Sequence, residues 1–420
     1  MIRGFVLRQM AGAALTANAL RPVPGAPASV VAFFSGWLTT ELAPHLLVAT
    51  AADAAQHAAR RGARTRADRV GLALAGASVA GLAAVIATGR GAGREAESAL
   101  VDALGEGYAD RDGAVGRTGR PIWRQLLNPF WMRDKTVTRV RDIAYLPGGR
   151  RTRLDIYHRH DVPTKSPVLL QIHGGGWVFG NKDQQGLPLM LEMASRGWVC
   201  AAVNYPLSPR AKWPAHLIAI KQALAWLREN VEEYGGDPDF IAVTGGSAGG
   251  HLAAMVALTA GDARFQPGFE DVDTSVQACV PYYGVYDIAG DTGIKLVVQR
   301  VRSGLMPMVF GKRARFPEDY RAASPLSHLR ADAPPFFVIH GTSDSLVPVE
   351  EARVFVDEFR KVSGNPVAYG ELQGAQHAFD VFPSIRSIGV TRAVGRFLEW
   401  SRRGKPAPLA AVTSTEATSA

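Results

Sequence analysis

Four short runs in this 420-residue chain contain residue types and spacings suited to covalent chemistry. Gly245-Gly246-Ser247-Ala248-Gly249-Gly250 follows the apolar run FIAVT and precedes the helix-like HLAAMVALTA. A serine flanked by residues with almost no side chain, between a strand and a helix, reads as a sharp turn that lifts the hydroxyl above a sheet and sets it at a helix N-terminus. The bland alternative is a glycine-rich turn that happens to contain a serine; the strand and helix on either side argue against it. The second run, His173-Gly174-Gly175-Gly176-Trp177, comes directly after VLLQI and 74 positions before Ser247. Acyl transfer builds negative charge on a carbonyl oxygen, and backbone N–H groups unobstructed by side chains can point at it. The N–H groups of Gly174, Gly175 and Ala248 are therefore the expected oxyanion donors. A phosphate cradle is the competing reading of a triple glycine, but neither GxGxxG nor the GK[ST] of a P-loop is present.

A hydroxyl nucleophile needs a base, and the base needs an acid to orient it. Asp344 lies just beyond the apolar run FFVIHG, in GTSDSLVP, and His377 lies in LQGAQHAF before the final helical stretch. The order Ser247, Asp344, His377 is the one found when the nucleophile sits on a GxSxG turn. His340 competes as the base, and Glu350, Glu351 and Asp380 compete as the acid. The expected reaction is hydrolysis of a carboxylic ester through an acyl-enzyme, with Trp177, Phe179 and the segment 290–320 as candidate substrate-binding walls. An amidase, arylformamidase or acyltransferase would use the same three groups. A non-catalytic scaffold on the same fold would be expected to have lost one of them.

The elements that must position these groups follow a regular rhythm from about residue 135. TVTRVRDIAYLPGGRRTRLDIYHR reads as two strands around a Pro-Gly-Gly turn. The buried-type runs VLLQIH, VCAAVNY, FIAVTG, ACVPYYGV and FFVIHG alternate with helical stretches such as HLIAIKQALAWLRENVEEYG and VEEARVFVDEFRKVSG, each closed by a glycine. Continuous apolar strands separated by helices imply an α/β fold with a mostly parallel sheet covered on both faces. Cys200 and Cys279 sit in apolar runs, as small buried hydrophobes do, and two cysteines make neither a disulfide framework nor a zinc site.

The expected organisation is an apolar helical region at 1–95, a linker or cap segment at 96–134, a catalytic domain at 135–403 and a disordered tail at 404–420. Residues 1–100 hold ten arginines and five acids, so part of the net charge of +9 is concentrated there. Five of those arginines (Arg60, Arg61, Arg64, Arg66 and Arg69) separate two candidate membrane segments. The clearer one runs from Val70 to Thr88 without a charge, nearly long enough to cross a hydrocarbon core of ~30 Å. The other, at about 29–52, is broken by Glu41, Pro44 and His45, and reads as a kinked span, a re-entrant helix or a helix lying on the bilayer. A soluble hairpin packed on the catalytic domain is the alternative. If both segments span, the arginine-rich connection stays cytoplasmic, leaving the N-terminus and the catalytic domain outside. The expectation is thus an envelope or membrane-associated protein, with the cytoplasm as the alternative. No aromatic-interleaved basic groove is present, which excludes a nucleic-acid partner.

With HGGGW at 173–177, GGSAGG at 245–250 and the Asp344 and His377 loops in place, the chain resembles the hormone-sensitive-lipase-like (GDXG) esterases and lipases over residues 135–403, and its apolar N-terminal region resembles that of membrane-associated members. The resemblance implies an α/β-hydrolase fold, hydrolysis of short to medium acyl esters or lipids without cofactor or metal, and an N-terminal cap over the site. One departure stands out: the family usually carries Asp before the nucleophile, where this chain has Gly246. HGGGW also resembles arylformamidases and feruloyl-esterase-like hydrolases.

Overall fold

The computed structural model describes residues 2–23, 28–108 and 122–404. Residues 109–121 of the expected linker and 405–420 of the expected tail lie outside the described residues. The eight strands are β1 (Val137–Ala144), β2 (Arg153–Arg159), β3 (Ser166–Ile172), β4 (Val199–Val203), β5 (Gly236–Gly246), β6 (Ala278–Tyr282), β7 (Phe336–Gly341) and β8 (Val367–Leu372). They form one sheet in the order β1-β2-β4-β3-β5-β6-β7-β8. The β1–β2 and β2–β4 pairs are antiparallel, and every pair from β4 to β8 is parallel. Strands β3, β4, β6 and β7 are buried along their whole length because helices cover both faces, which is why they read as unbroken apolar runs. This is the α/β-hydrolase architecture, and the crossovers bring the loops after β3, β5, β7 and β8 to one edge of the sheet. Cys200 and Cys279 are buried free thiols on β4 and β6.

The N-terminal region forms four helices: α1 (Ile2–Leu20), α2 (Ala28–Glu41), α3 (Ala43–Arg61) and α4 (Arg66–Leu104). The candidate segment at 29–52 is therefore two helices that break at Leu42. Helix α4 has 39 residues and is long and apolar enough to cross a membrane by length and composition. It starts on a capping box, in which the Thr65 hydroxyl accepts from Asp68 N and the Asp68 carboxylate accepts from Thr65 N. The expected boundary at residue 95 falls inside α4. Its last three turns bury Ala92, Ala96, Ala99 and Leu100 in the same core cluster as β8 residues and the final helix. There Glu95 accepts from Gln373 N, and Glu97 pairs with Arg396.

The first half of α4 is flanked by α1 and α3. Phe5 packs against Gly71, and Thr16 packs against Gly81, so α1 runs parallel to α4. His57 near the end of α3 pairs with Asp68 at the start of α4, so α3 runs antiparallel. Phe5 stacks on His57, with ring centroids 3.7 Å apart. The N-terminus and the arginine-rich turn are consequently at the same end of the bundle, which corrects the expectation that they lie on opposite sides; α1 is a third helix beside the other two.

The remaining helices are α5 (Ile122–Leu127), α6 (Leu187–Ser195), α7 (Ala215–Asn230), α8 (Ala248–Leu258), α9 (Lys295–Val301), α10 (Leu305–Phe310), α11 (Glu318–Arg321), α12 (Val349–Val362) and α13 (Ile385–Arg402). Helix α7 passes into a 3-10 turn that ends at left-handed Gly235, as its glycine signals. Helix α12 stops earlier than its glycine, because Ser363 is already extended and Gly364 N donates to Ala331 O.

Among the buried imidazoles of this domain are His173, His216 and His251. Burial holds His173 and His216 at about 4 and His251 at about 3. All three lie below the unfolded value of ~6.5, so the unfolded chain binds more protons in the interval. The stabilisation is complete above pH 6.5 and is lost as the pH falls toward 4. We expect a loss of about 2 kcal/mol per imidazole by pH 5, from about 1.4 kcal/mol per pH unit. Thermal unfolding between pH 7.5 and 4.5 measures it; a flat profile from 6.5 to 5 would contradict it.

Candidate active site

Strand β5 runs into α8 through Ser247, whose backbone is at φ 59°, ψ −123°. This region is nearly closed to a residue with a Cβ and costs about 1–3 kcal/mol. The surroundings enforce it. Ser247 N donates to Tyr282 O on β6, and its carbonyl accepts His251 N in the first turn of α8. A Cβ on Gly249 would stand 2.2 Å from Ile172 O, so α8 can approach β3 this closely only with glycine there.

His377 follows β8, and Asp344 follows β7. Their contact is short: His377 Nδ1 lies 2.6 Å from Asp344 Oδ2. Asp344 is fully buried, and its Oδ1 accepts the N–H groups of Leu346 and Val347. Burial pushes its carboxyl up, but the charge of His377 and the hydrogen bonds from His340 and His377 outweigh it and hold the acid well below the usual carboxylate range. The competing candidates are engaged elsewhere. His340 Nε2 lies 2.9 Å from Val347 O and 3.3 Å from Asp344, behind the acid. Glu351 accepts the N–H groups of Tyr286 and Asp287 and pairs with Arg300. Glu350 is exposed near Arg353.

Ser247 and His377 line one cavity of about 590 Å³ together with Gly175, Gly176, Trp177, Phe179 and Ala248. Both candidate wall residues are in place, although Trp177 is almost wholly buried, with its Nε1 donating to His251. The segment 290–320 contributes Leu296, Gln299, Arg300, Ser303 and Leu305. Gly174 is different. Its N–H donates to Gln185 Oε1 at 2.6 Å, and Gly174 is not among the cavity-lining residues. The N–H groups of Gly175 and Ala248 donate to no protein acceptor among the described residues. His173 supports this loop from beneath: its carbonyl accepts the Tyr205 hydroxyl, and its ring stacks on Tyr205.

The resemblance implied an N-terminal cap over the site, but the residues of one wall had not been singled out in the sequence. Val30, Phe33, Phe34 and Trp37 of α2 line the cavity, and Phe33 presents its face or edge to His377 at 5.6 Å in a T-shaped contact. The helix is fixed at both ends. Ser345 Oγ donates to Ser29 O, while buried Glu41 accepts from Ser384 Oγ and pairs with Arg386. The signal was the aromatic set Phe33, Phe34 and Trp37 at helical spacing, which serves an active-site wall as well as a membrane segment.

The probable carboxylic ester hydrolase LipM of Mycobacterium tuberculosis is 43% identical over 398 residues, covering 92% of this chain and 90% of its own. The chain belongs to the hormone-sensitive-lipase-like esterase family. The esterase LipQ of the same organism is 42% identical over 72% of this chain and 73% of its own, and the family model BD-FAE matches residues 154–359. Among solved structures, the butyrate-bound esterase Est2 of Thermogutta terrifontis is 26% identical, with a TM-score of 0.51 over 62% of this chain and 91% of that one. The protein is accordingly a carboxylic ester hydrolase. A match over 92% of the chain necessarily includes much of the N-terminal helical region, which a match over 62% can omit.

The departure of this esterase from the family pattern at Gly246 has a structural counterpart. A Cβ on Gly246 would lie 2.6 Å from the Tyr283 hydroxyl and under 3 Å from its ring. Tyr283 fills the space in which a larger residue would sit, donates to Asp380, and lays its ring 4.5 Å from that of His377. Burial pushes the Asp380 carboxyl up and the Tyr283 hydroxyl far up, so the phenol remains the donor. Gly246→Asp alone is expected to destabilise the fold by about 1–3 kcal/mol through overpacking. Combining it with Tyr283→Ala should recover part of that loss in a double-mutant cycle read by thermal unfolding; additive effects would show that the two positions do not share the space.

Proposed function

We propose that this esterase works through Ser247, His377 and Asp344. His377 takes the proton of Ser247 as the hydroxyl attacks the ester carbonyl, and Asp344 holds the ring in the required tautomer and stabilises the imidazolium. The alcohol leaves with that proton, and water attacks the acyl-enzyme by the same route in reverse. The single observation that carries this reading is the 2.6 Å contact of His377 Nδ1 with a buried carboxylate, at a cavity that Ser247 also lines. The oxyanion is received by the N–H groups of Gly175 and Ala248, and the Gly174 N–H joins them only when Gln185 releases it. The apolar walls favour esters with a hydrocarbon acyl or alkyl group.

The test is p-nitrophenyl ester hydrolysis across acyl lengths by the full chain in detergent. We expect kcat/KM to rise from acetate to medium chains, and both a fluorophosphonate and Ser247→Ala to remove at least about 1,000-fold of the activity. A Ser247→Ala protein as active as wild type would overturn the assignment.

We propose further that α1, α3 and the first half of α4 anchor the enzyme in a membrane as a three-helix bundle. From Arg66 to Thr88 a helix rises roughly 33 Å, against a hydrocarbon core of ~30 Å. The outward residues of the bundle are mostly Ala, Leu, Val and Met, and Arg60, Arg61, Arg64, Arg66 and Arg69 gather at one end. That end faces the cytoplasm by the positive-inside rule, with the N-terminus beside it and the catalytic domain on the other side. The protein is expected to stay with membranes through a carbonate wash and to need detergent for release; recovery in the soluble fraction without detergent would refute the anchor.

A further inference from the structure

Helix α2 carries two apolar stripes. Phe33 and Trp37 point to the active-site side, Phe33 at His377 and Trp37 against Phe382 at 5.6 Å. On another side Val31, Phe34 and Leu38, spaced three and four apart, are 72%, 55% and 40% exposed. A helix on the surface of a water-soluble domain carries polar residues on such a face. The apolar surface continues past Phe382. Phe130 packs on that ring at 5.1 Å and is itself exposed, as is Trp131 beside it. Arg133 stacks over Trp131, and Arg124 stacks over exposed Trp123. Tryptophan and arginine together are the side chains that settle at the headgroup level of a bilayer, where an apolar body and a polar or charged tip can both be satisfied.

The position of this surface agrees with its composition. Asn18, in the last turn of α1, donates to Ala32 O and Ser35 Oγ, so α2 crosses the bundle at the end opposite the arginine-rich turn. That is the level at which a bundle embedded by its distal part emerges from the hydrocarbon.

We infer that α2 and the Phe130–Trp131 corner lie in the headgroup–acyl boundary of a lipid bilayer, and that the ester substrate is a membrane-resident amphiphile entering the cavity along α2. This rests on the anchoring proposed above. The hydrocarbon chain of such a substrate passes from lipid onto Val30 and Phe34, which line the cavity, without crossing water. The arginines on the corner favour an anionic membrane surface.

The experiment uses the full chain reconstituted in phosphatidylcholine vesicles containing phosphatidylglycerol. It compares a fluorogenic long-chain glycerol ester embedded in the bilayer with soluble p-nitrophenyl acetate. Val31 and Trp131 do not line the cavity, so Val31→Asp with Trp131→Asp should reduce turnover of the embedded ester at least tenfold and leave acetate hydrolysis within twofold. Unchanged turnover of the embedded ester, with the protein still floating with the vesicles, overturns the inference and leaves the anchor intact. Failure of the wild type to float refutes the anchor and the inference with it. A dimer in detergent that Val31→Asp dissociates, with embedded turnover untouched, assigns the stripe to a second copy and also overturns it. Should the double variant misfold, quenching of wild-type tryptophan by lipids brominated near the headgroup decides: it should weaken in Trp131→Phe, and equal quenching in the two proteins overturns the inference.

Discussion

A serine at φ 59° and ψ −123° persists only where its neighbours leave the chain no other route, and in this protein three strands and a helix converge to remove the alternatives. The β5–β6 register ties Ser247 N to Tyr282 O, the β3–β5 register brings Ile172 against Gly249, and α8 begins at the next residue. The parallel sheet then fixes where the loops after β7 and β8 emerge, and so where Asp344 and His377 meet. The large buried core supplies the energy that holds this turn, which is why a strained residue and a deeply buried carboxylate coexist with an ordinary hydrophobic interior.

Much of this arrangement was legible in the sequence because it is written in local signals. Glycines around a serine, three glycines after a strand, and apolar runs too continuous for a half-exposed strand each report their own backbone. Strand β8 was harder to read, since Gly370 and Glu371 interrupt its apolar run, yet it carries the loop that delivers His377. The hydrogen bond from Gly174 to Gln185 had no local sign, because it depends on how a loop eleven residues on folds back.

Helix α2 was illegible for a different reason. A segment apolar on two sides looks the same in one dimension whether its neighbours are lipid or protein. Its protein side is committed to Ser345, Ser384 and Arg386, all more than 300 residues away in the chain. The substitution of Gly246 for the family aspartate is another long-range matter: the residue that occupies the space, Tyr283, directly follows β6, the strand paired with β5 at Gly246.

Helix α4 and α13 cross at Gly93 and Gly389 with their backbones in direct contact, and α4 continues through that joint without a break. The N-terminal bundle and the catalytic body are therefore two loads on one stiff rod. Each residue added to or removed from α4 between the bundle and the joint would turn one load against the other by about 100° and shift it by about 1.5 Å. Helix α2, clamped to both, would be torn from one of them. The length of α4 is thus set in phase as well as in distance, and changes near two or three whole turns, about seven or eleven residues, come close to returning the same face to the active site.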